Sequence, residues 1–408
     1  MIRVCCVFGP WQLVTLLAAL EKNANGASAS DCEDYLLLYE TAGVPDTFKH
    51  AVRTMAQTAW PWKKIIEVYE VLTNEKNVNQ RQYEGLLSTL RQHLGADAER
   101  VGEIWTCLAT RPAERLVFEA FPQARISVYE DGLISYLPVT VAARWQPGYK
   151  PRNTVEALLM PLRAFEENIA PVKRFRRHLW KVDPRHLARV HNVYFQLSPA
   201  VRTPEIWRDV PCHFVEYTFL RRALARVEPA LPPEAWTDIE PEGAPDRVLI
   251  LGQALARNNI MSRDEERGFY TTVLETVLER DWRVLWKEHP RISQPYFDEL
   301  HAWANARSAE WGARLRRLSL PHAYPVELVA NRLDLAGCVS GTSAAPFYLR
   351  GLYDLPCYTF AGTLREKMKD VDVLMSDIVQ QAIPSLEELP RRSDSFVTKE
   401  RDHMQKEL

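Results

Sequence analysis

The chain has 408 residues, 46% of them apolar and 25% charged, an ordinary globular composition with room for two domains that each bury their own core. Its formal charge of −2 excludes a global attraction to nucleic acid or to an anionic membrane, so any basic surface is local. Seven cysteines, odd in number and scattered, with Cys5-Cys6 as the only close pair, offer no CxxC-type chelation and read as reduced, mostly core thiols of a cytosolic protein.

The first twenty residues carry an early arginine and an apolar run, with "NGASAS" behind them in the manner of a signal peptide. Gly9-Pro10-Trp11-Gln12 interrupts that run. It divides into a short buried strand, "VCCVF", and a helix, "WQLVTLLAALEK", that begins just after a proline. No segment elsewhere approaches the roughly 20 apolar residues that span a bilayer. Strand "YLLLYE", helix "DTFKHAVRTMAQTA", "WKKIIEVYE" as strand or short helix, helix "NQRQYEGLLSTLRQHLG", strand "VGEIWTCLA", helix "AERLVFEAF" and strand "RISVYEDG" follow, the alternation of a doubly wound domain. From about 145 to 227 the pattern loosens into helices rich in Arg, Trp and His, an expected insert within an N-terminal domain of residues 1–227. Five prolines in 228–246 mark a linker.

A second alternating set occupies 247–362. Strand "RVLILG" is followed by a helix opened by a Ser262/Glu265 capping box, strand "WRVLWKEHP", helix "PYFDELHAWANARSAEWGARL" and strand-like "RRLSL". Short helix "YPVELVANR", strand "LAGCVSG", helix "TSAAPFYLRGLY" and strand "PCYTF" complete it, and 363–408 reads as a helical tail. Two α/β domains on a proline-rich linker suggest two Rossmann-like halves with a cleft between them. No internal repeat or low-complexity tract is present.

In open parallel sheets ligands bind beyond the carboxyl ends of the strands, so the residues just after each strand are the candidates. They are Glu130-Asp131-Gly132, Gly252-Gln253, His289-Pro290 and Ser340-Gly341-Thr342-Ser343. Each has an ordinary reading: acid-acid-Gly as a solvated turn, Ser/Thr as a helix N-cap, and His-Pro as a pair of which roughly two-thirds of one is expected by chance. Their joint placement at strand ends, in this order, is what chance does not supply.

An acidic pair before Gly in the first half, His-Pro in the second and a Ser/Thr cluster beyond it resemble the three motifs of the bacterial sialyltransferases, including the polysialyltransferase and lipooligosaccharide sialyltransferase families. "GPWQLVTLLAALE" is similar to the opening of those proteins, and "YPVELV" to their Pro-x-Glu segment; the resemblance implies that Gly9 and Gln12 of the first belong, with Gly252, Gln253 and Pro290, to the substrate-binding residues. The resemblance runs from residue 4 to about 360 as sparse motifs. It implies a GT-B fold, an inverting mechanism, a CMP-activated donor and a ribose-binding role for Glu327, whose other reading is an exposed helix carboxylate.

The chemistry also follows from the residues. An acceptor hydroxyl attacks a sugar carbon poorly unless a carboxylate takes its proton, a role for Asp131 with Glu130 as the fallback. His289 can protonate or hydrogen-bond a departing phosphate near neutral pH. Ser340, Thr342 and Ser343 bring hydroxyls, and the helix starting there, with Pro346 in its first turn, brings free N–H groups to the same phosphate.

No cofactor and no metal are expected. The one Asp-x-Asp, Asp370-Val371-Asp372, lies in a helical stretch, and a monophosphate leaving group has less need of a divalent ion than a diphosphate. The basic segment 173–189 has two open readings: a contact for an anionic glycan acceptor or for acidic lipid at the inner membrane, or a helix with a solvated basic face. No groove-reading motif supports nucleic acid. The expected protein is an inverting transferase of sialic acid, or of another CMP-activated ulosonic acid such as Kdo or legionaminic acid. It would act on the cytoplasmic side in capsule or lipooligosaccharide synthesis, and a non-catalytic glycan-binding module is the alternative from another class.

Overall fold

The computed structural model describes residues 1–26, 32–39, 46–68, 80–107, 112–137, 183–197, 201–238, 246–258, 260–290, 292, 295–368 and 370–394. The chain divides into two compact units, Met1–Pro229 and Ala230–Leu408.

In the first unit β1 (Ile2–Val7) is buried along its whole length, as a continuous apolar run requires when helices cover both faces of a parallel sheet. α1 (Pro10–Gly26) starts on its proline, where a missing N–H breaks no helix bond, and buries Leu13, Val14, Leu16, Leu17 and Leu20. After β2 (Glu33–Leu38), α2 (Asp46–Ala59) turns Phe48, Ala51, Val52, Met55, Ala56 and Ala59 inward, alternating steps of three and one that make a single helical stripe. β3 (Lys64–Glu67), α3 (Gln80–Leu94), β4 (Val101–Thr106), α4 (Pro112–Ala120) and β5 (Arg125–Tyr129) continue the alternation.

The segment expected to be helical from about 145 to 227 is corrected where it is described; residues 145–182 and 198–200 of it lie outside the described residues. A single-turn helix α5 (Pro184–Leu187) leads to β6 (Val190–Phe195), then β7 (Cys212–Phe214) and α6 (Tyr217–Val227). β6 and β7 extend the first sheet, which runs β3-β2-β1-β4-β5-β6-β7 with every pair parallel. Two basic residues at its start hid β6. The Arg189 guanidinium caps α4 by donating to the carbonyls of Phe118, Phe121 and Ala124, and the His191 ring meets the Ile126 carbonyl at 2.9 Å. Of the basic segment 173–189, only 183–189 is described, and there Arg185 pairs with Asp183 at 2.7 Å.

The second unit contains β8 (Arg247–Leu251), α7 (Arg263–Leu278), β9 (Arg283–Lys287), α8 (Phe297–Arg307), α9 (Ala309–Arg314), β10 (Leu315–Arg317), β11 (Leu335–Ser340), α10 (Ala345–Tyr353), β12 (Cys357–Thr359), α11 (Ala361–Leu364) and α12 (Asp370–Ala382). Its sheet runs β10-β9-β8-β11-β12, again all parallel. Val248, Ile250, Trp286 and Val339 from the strands pack with Tyr270 and Phe360 in its core. The capping box is present: the Glu265 N–H donates to Ser262 Oγ at 3.2 Å and the Ser262 N–H to Glu265 Oε2 at 2.8 Å.

One expectation changes here. "YPVELVANR" forms two 3-10 turns, Val326–Leu328 and Ala330–Arg332, in place of a short helix. Of the proline-rich linker, residues 239–245 lie outside the described residues, while 230–238 dock on the second unit. Arg332 lies 4.8 Å over the Trp236 ring, and Arg247 donates to the Asp238 carbonyl at 2.9 Å. The tail is bound as well, through Ile383, Leu386 and Leu389 in the interior and Trp282 Nε1 donating to the Pro390 carbonyl at 2.8 Å; residues 395–408 lie outside the described residues.

The protein is therefore α/β, with the two Rossmann-like units of the GT-B class. Both sheets reverse their strand order once, between β1 and β4 and between β8 and β11, and such a switch point opens a crevice at the carboxyl ends of the strands. No helix of the described residues is long and apolar enough to cross a membrane.

Candidate active site

At the first switch point the chain leaves β1 through Phe8 and Gly9 into α1, and Glu130 and Asp131 follow β5. The two carboxylates are not equivalent. Glu130 is buried at 1% exposure, and its Oε2 accepts from the Tyr136 hydroxyl and from the N–H groups of Gln196 (2.5 Å) and Leu197 (3.1 Å). It joins the ends of β5 and β6, so the fallback role of proton acceptor for a bound hydroxyl does not suit it. Asp131 is half-buried; its N–H donates to Ser135 Oγ at 2.6 Å, and Gln12 Nε2 donates to its carboxylate. Gly132 follows at φ 61°, a turn that favours glycine and sends the chain into the 3-10 turn Gly132–Tyr136.

At the second switch point Gly252 and Gln253 follow β8, and Ser340, Gly341, Thr342 and Ser343 follow or end β11. Gln253 uses both ends of its amide on Thr342: Oε1 accepts the Thr342 N–H at 3.2 Å and Nε2 donates to Thr342 Oγ1 at 3.4 Å. Tyr270 anchors Gln253 in turn, its hydroxyl accepting the Gln253 N–H at 2.5 Å. A Cβ on Gly341 would lie 2.1 Å from Gln253 Oε1 and 2.6 Å from Phe360, so only glycine fits. Gly252 donates to the Lys287 carbonyl at 2.9 Å against the Trp286 ring.

Ser340 is fully buried, which removes it from the hydroxyls expected to meet a ligand; Thr342 and Ser343 are half-buried at the start of α10. His289 and Pro290 follow β9, both half-buried, with the His289 carbonyl accepting the Ile292 N–H at 3.1 Å.

Glu327 is not the exposed carboxylate of its ordinary reading. It is 5% exposed, and burial raises its pKa to about 7 against the lowering effects of its own backbone N–H and of Lys287. Lys287, the last residue of β9, is equally interior. Burial lowers its pKa to about 8 although Glu327 and Glu288 act to raise it, and its Nζ donates to the His322 carbonyl at 3.1 Å. Both groups are held where their charged forms are disfavoured, a condition that structural cores avoid and binding sites use. Lys287 escaped the sequence reading because it stands inside "WKEHP", where a lysine beside a glutamate looks like part of a solvated turn. Its signal was position: it is the final residue of a strand and directly follows the apolar run Val284-Leu285-Trp286.

Compared with known families, the chain matches the alpha-2,8-polysialyltransferase family over residues 3–361. The chain belongs to the alpha-2,8-polysialyltransferase family. It is thus a glycosyltransferase of the sialyltransferase type. No curated protein matches the sequence. Similar solved structures include the GT-B domain of a sialyltransferase from Photobacterium damselae, at 11% identity and TM-score 0.46 over 95% of this chain and 99% of that one. They also include a transferase from Siraitia grosvenorii in complex with UDP, at 11% identity and TM-score 0.47 over 99% and 92%. A UDP-N-acetylglucosamine 2-epimerase from Rickettsia bellii has 11% identity and TM-score 0.41 over 83% and 74%.

Proposed function

We propose that this member of the polysialyltransferase family moves a sialic acid from a CMP-activated donor to a glycan hydroxyl, inverting the anomeric carbon, in the synthesis of bacterial capsule or lipooligosaccharide. The family name suggests the acceptor: an α-2,8-linked sialic acid chain, itself anionic. As the acceptor oxygen bonds to the anomeric carbon, its proton passes to Asp131. The bond from that carbon to the CMP phosphate breaks, and its electron pair leaves with the phosphate. His289 protonates or hydrogen-bonds that phosphate, Thr342, Ser343 and the α10 N-terminus receive its charge, and Glu327 accepts hydrogen bonds from the ribose.

The observation that carries this reading is the buried Glu327, a carboxylate held near pKa 7, to which ribose hydroxyls would add donors beyond its own backbone N–H. We place the enzyme on the cytoplasmic side, with 173–189 as a candidate contact for anionic acceptor or lipid, and assign it neither metal nor other cofactor. The test is transfer: purified protein is given CMP-sialic acid and an α-2,8-linked sialic acid oligomer, and product mass and released CMP are followed with and without EDTA. Growth of the oligomer by sialic acid units in both conditions is the expected result. Product from CMP-Kdo in place of CMP-sialic acid, or from neither, would overturn the donor assignment.

A further inference from the structure

The family resemblance grouped Gln12 with the residues that meet substrate, yet its side chain is turned to another purpose. Gln12 lies in the first turn of α1, is 9% exposed, and donates through Nε2 to the Asp131 carboxylate from 119 positions away in the chain. A Cβ on Gly9 would stand 2.4 Å from Gln12 Oε1 and 2.7 Å from the Phe48 ring, so the Gly-Pro turn leaves this amide its space. Three residues further along the helix, Thr15 Oγ1 shares its proton between the Gln12 carbonyl at 3.1 Å and the Glu130 carbonyl at 2.9 Å, tying α1 to the peptide that precedes Asp131.

We infer that Gln12 is a positioning residue for the proposed general base, fixing the rotation of the Asp131 carboxylate and stabilising its charged form, and that Gly9 is glycine to admit it. A freely rotating carboxylate presents its basic lone pair to a bound hydroxyl only part of the time, whereas an amide donor on one oxygen holds the plane in place. The inference rests on Asp131 as the base. Of the ionisable groups beside it in sequence, Glu130 has its carboxylate taken up by Tyr136, Gln196 and Leu197, and Tyr129 donates its hydroxyl to the Cys6 carbonyl at 2.6 Å.

The test compares Gln12→Leu, which removes the donor, with Gln12→Glu, which keeps the shape and replaces the amide by a group that ionises. In Gln12→Leu, kcat should fall ~10–100-fold with donor KM within ~3-fold, and the acidic limb of kcat/KM should move up by ~0.5–1 pH unit. In Gln12→Glu the limb should move further, since two carboxylates then share the position. If Gln12→Leu fails to fold, the Gln12→Glu limb decides. An acidic limb at the wild-type pH in the folded variants, whatever their rate, makes Gln12 a packing residue and overturns the inference. Asp131→Asn measured alongside separates the two levels: an active Asp131→Asn removes the base and this inference together, while an inactive one beside an unmoved limb removes this inference alone.

Discussion

Glu130 and Asp131 are neighbours with the same chemistry and opposite surroundings. Glu130 accepts three hydrogen bonds in the interior, and a charged acceptor of that kind is worth roughly 1.5–3 kcal/mol for each bond it keeps. Glu130→Gln should lower unfolding free energy by ~2 kcal/mol or more, while Asp131→Asn, half-buried, should stay within ~1 kcal/mol of wild type and lose transfer by ~10³-fold. Urea unfolding beside single-turnover transfer reads both, and the reverse pattern would exchange the two roles. Glu327 adds a pH signature. Below pH 4.5 it is protonated folded or unfolded; between 4.5 and about 7 the unfolded chain releases the proton and the folded chain holds it, so stability falls as pH rises. The Tm of Glu327→Gln should therefore gain on wild type from pH 4.5 to 7 and level off above, with CMP binding weakened throughout. An equal Tm difference at all pH values would show that Glu327 titrates normally.

At the scale of elements, the β11–α10 turn is shaped by Gln253, Phe360 and the missing Cβ of Gly341. Gly341→Ala should push Gln253 away from Thr342, lowering both Tm and CMP affinity. Because one clash causes both losses, Gly341→Ala in a Gln253→Ala background should do less harm than in wild type, a coupling of ~0.5–3 kcal/mol in a double-mutant cycle. Additive losses would place the turn's rigidity elsewhere. β9 ends differently, with Lys287 inside and His289 half-buried two residues on. If His289 acts only as the phosphate leaves, His289→Ala should reduce kcat by ~10²–10⁴-fold and leave CMP affinity within a few-fold. A near wild-type rate would return it to the turn.

For the whole molecule, two compact units with separate cores imply that a single unfolding free energy is not assured. Glu327, Thr342 and Ser343 all belong to Ala230–Leu408, so calorimetry of the full chain should show two transitions of which CMP raises one, by mass action, and UDP raises neither. The docking of 230–238 and of the tail adds to that second unit's core, so truncation before Ile383 should lower the CMP-sensitive transition and spare the other. One transition, moved equally by CMP and UDP, would contradict both the division of labour and the choice of nucleotide.

The strands β1, β8, β9 and β11 were legible because a parallel strand covered on both faces must be a continuous apolar run, and Gly9-Pro10, Gly252, His289-Pro290 and Gly341 stop each run. That rule also marked where a ligand belongs, since the carboxyl ends of such strands are where the next turn begins. β6 was hidden because Arg189 and His191 serve carbonyls 65 or more positions away, and local composition carries no trace of those partners. The same limit governs the site. Glu130 is covered beside a half-buried Asp131, and Ser340 is buried two residues before a half-buried Thr342, differences that no residue type announces. Residue types named the chemistry; only the tertiary structure decided which carboxylate stays accessible, that Lys287 and Glu327 are held off their ordinary pKa values, and that Gln12 reaches Asp131. Each of these depends on what covers a side chain, and the cover comes from distant parts of the chain.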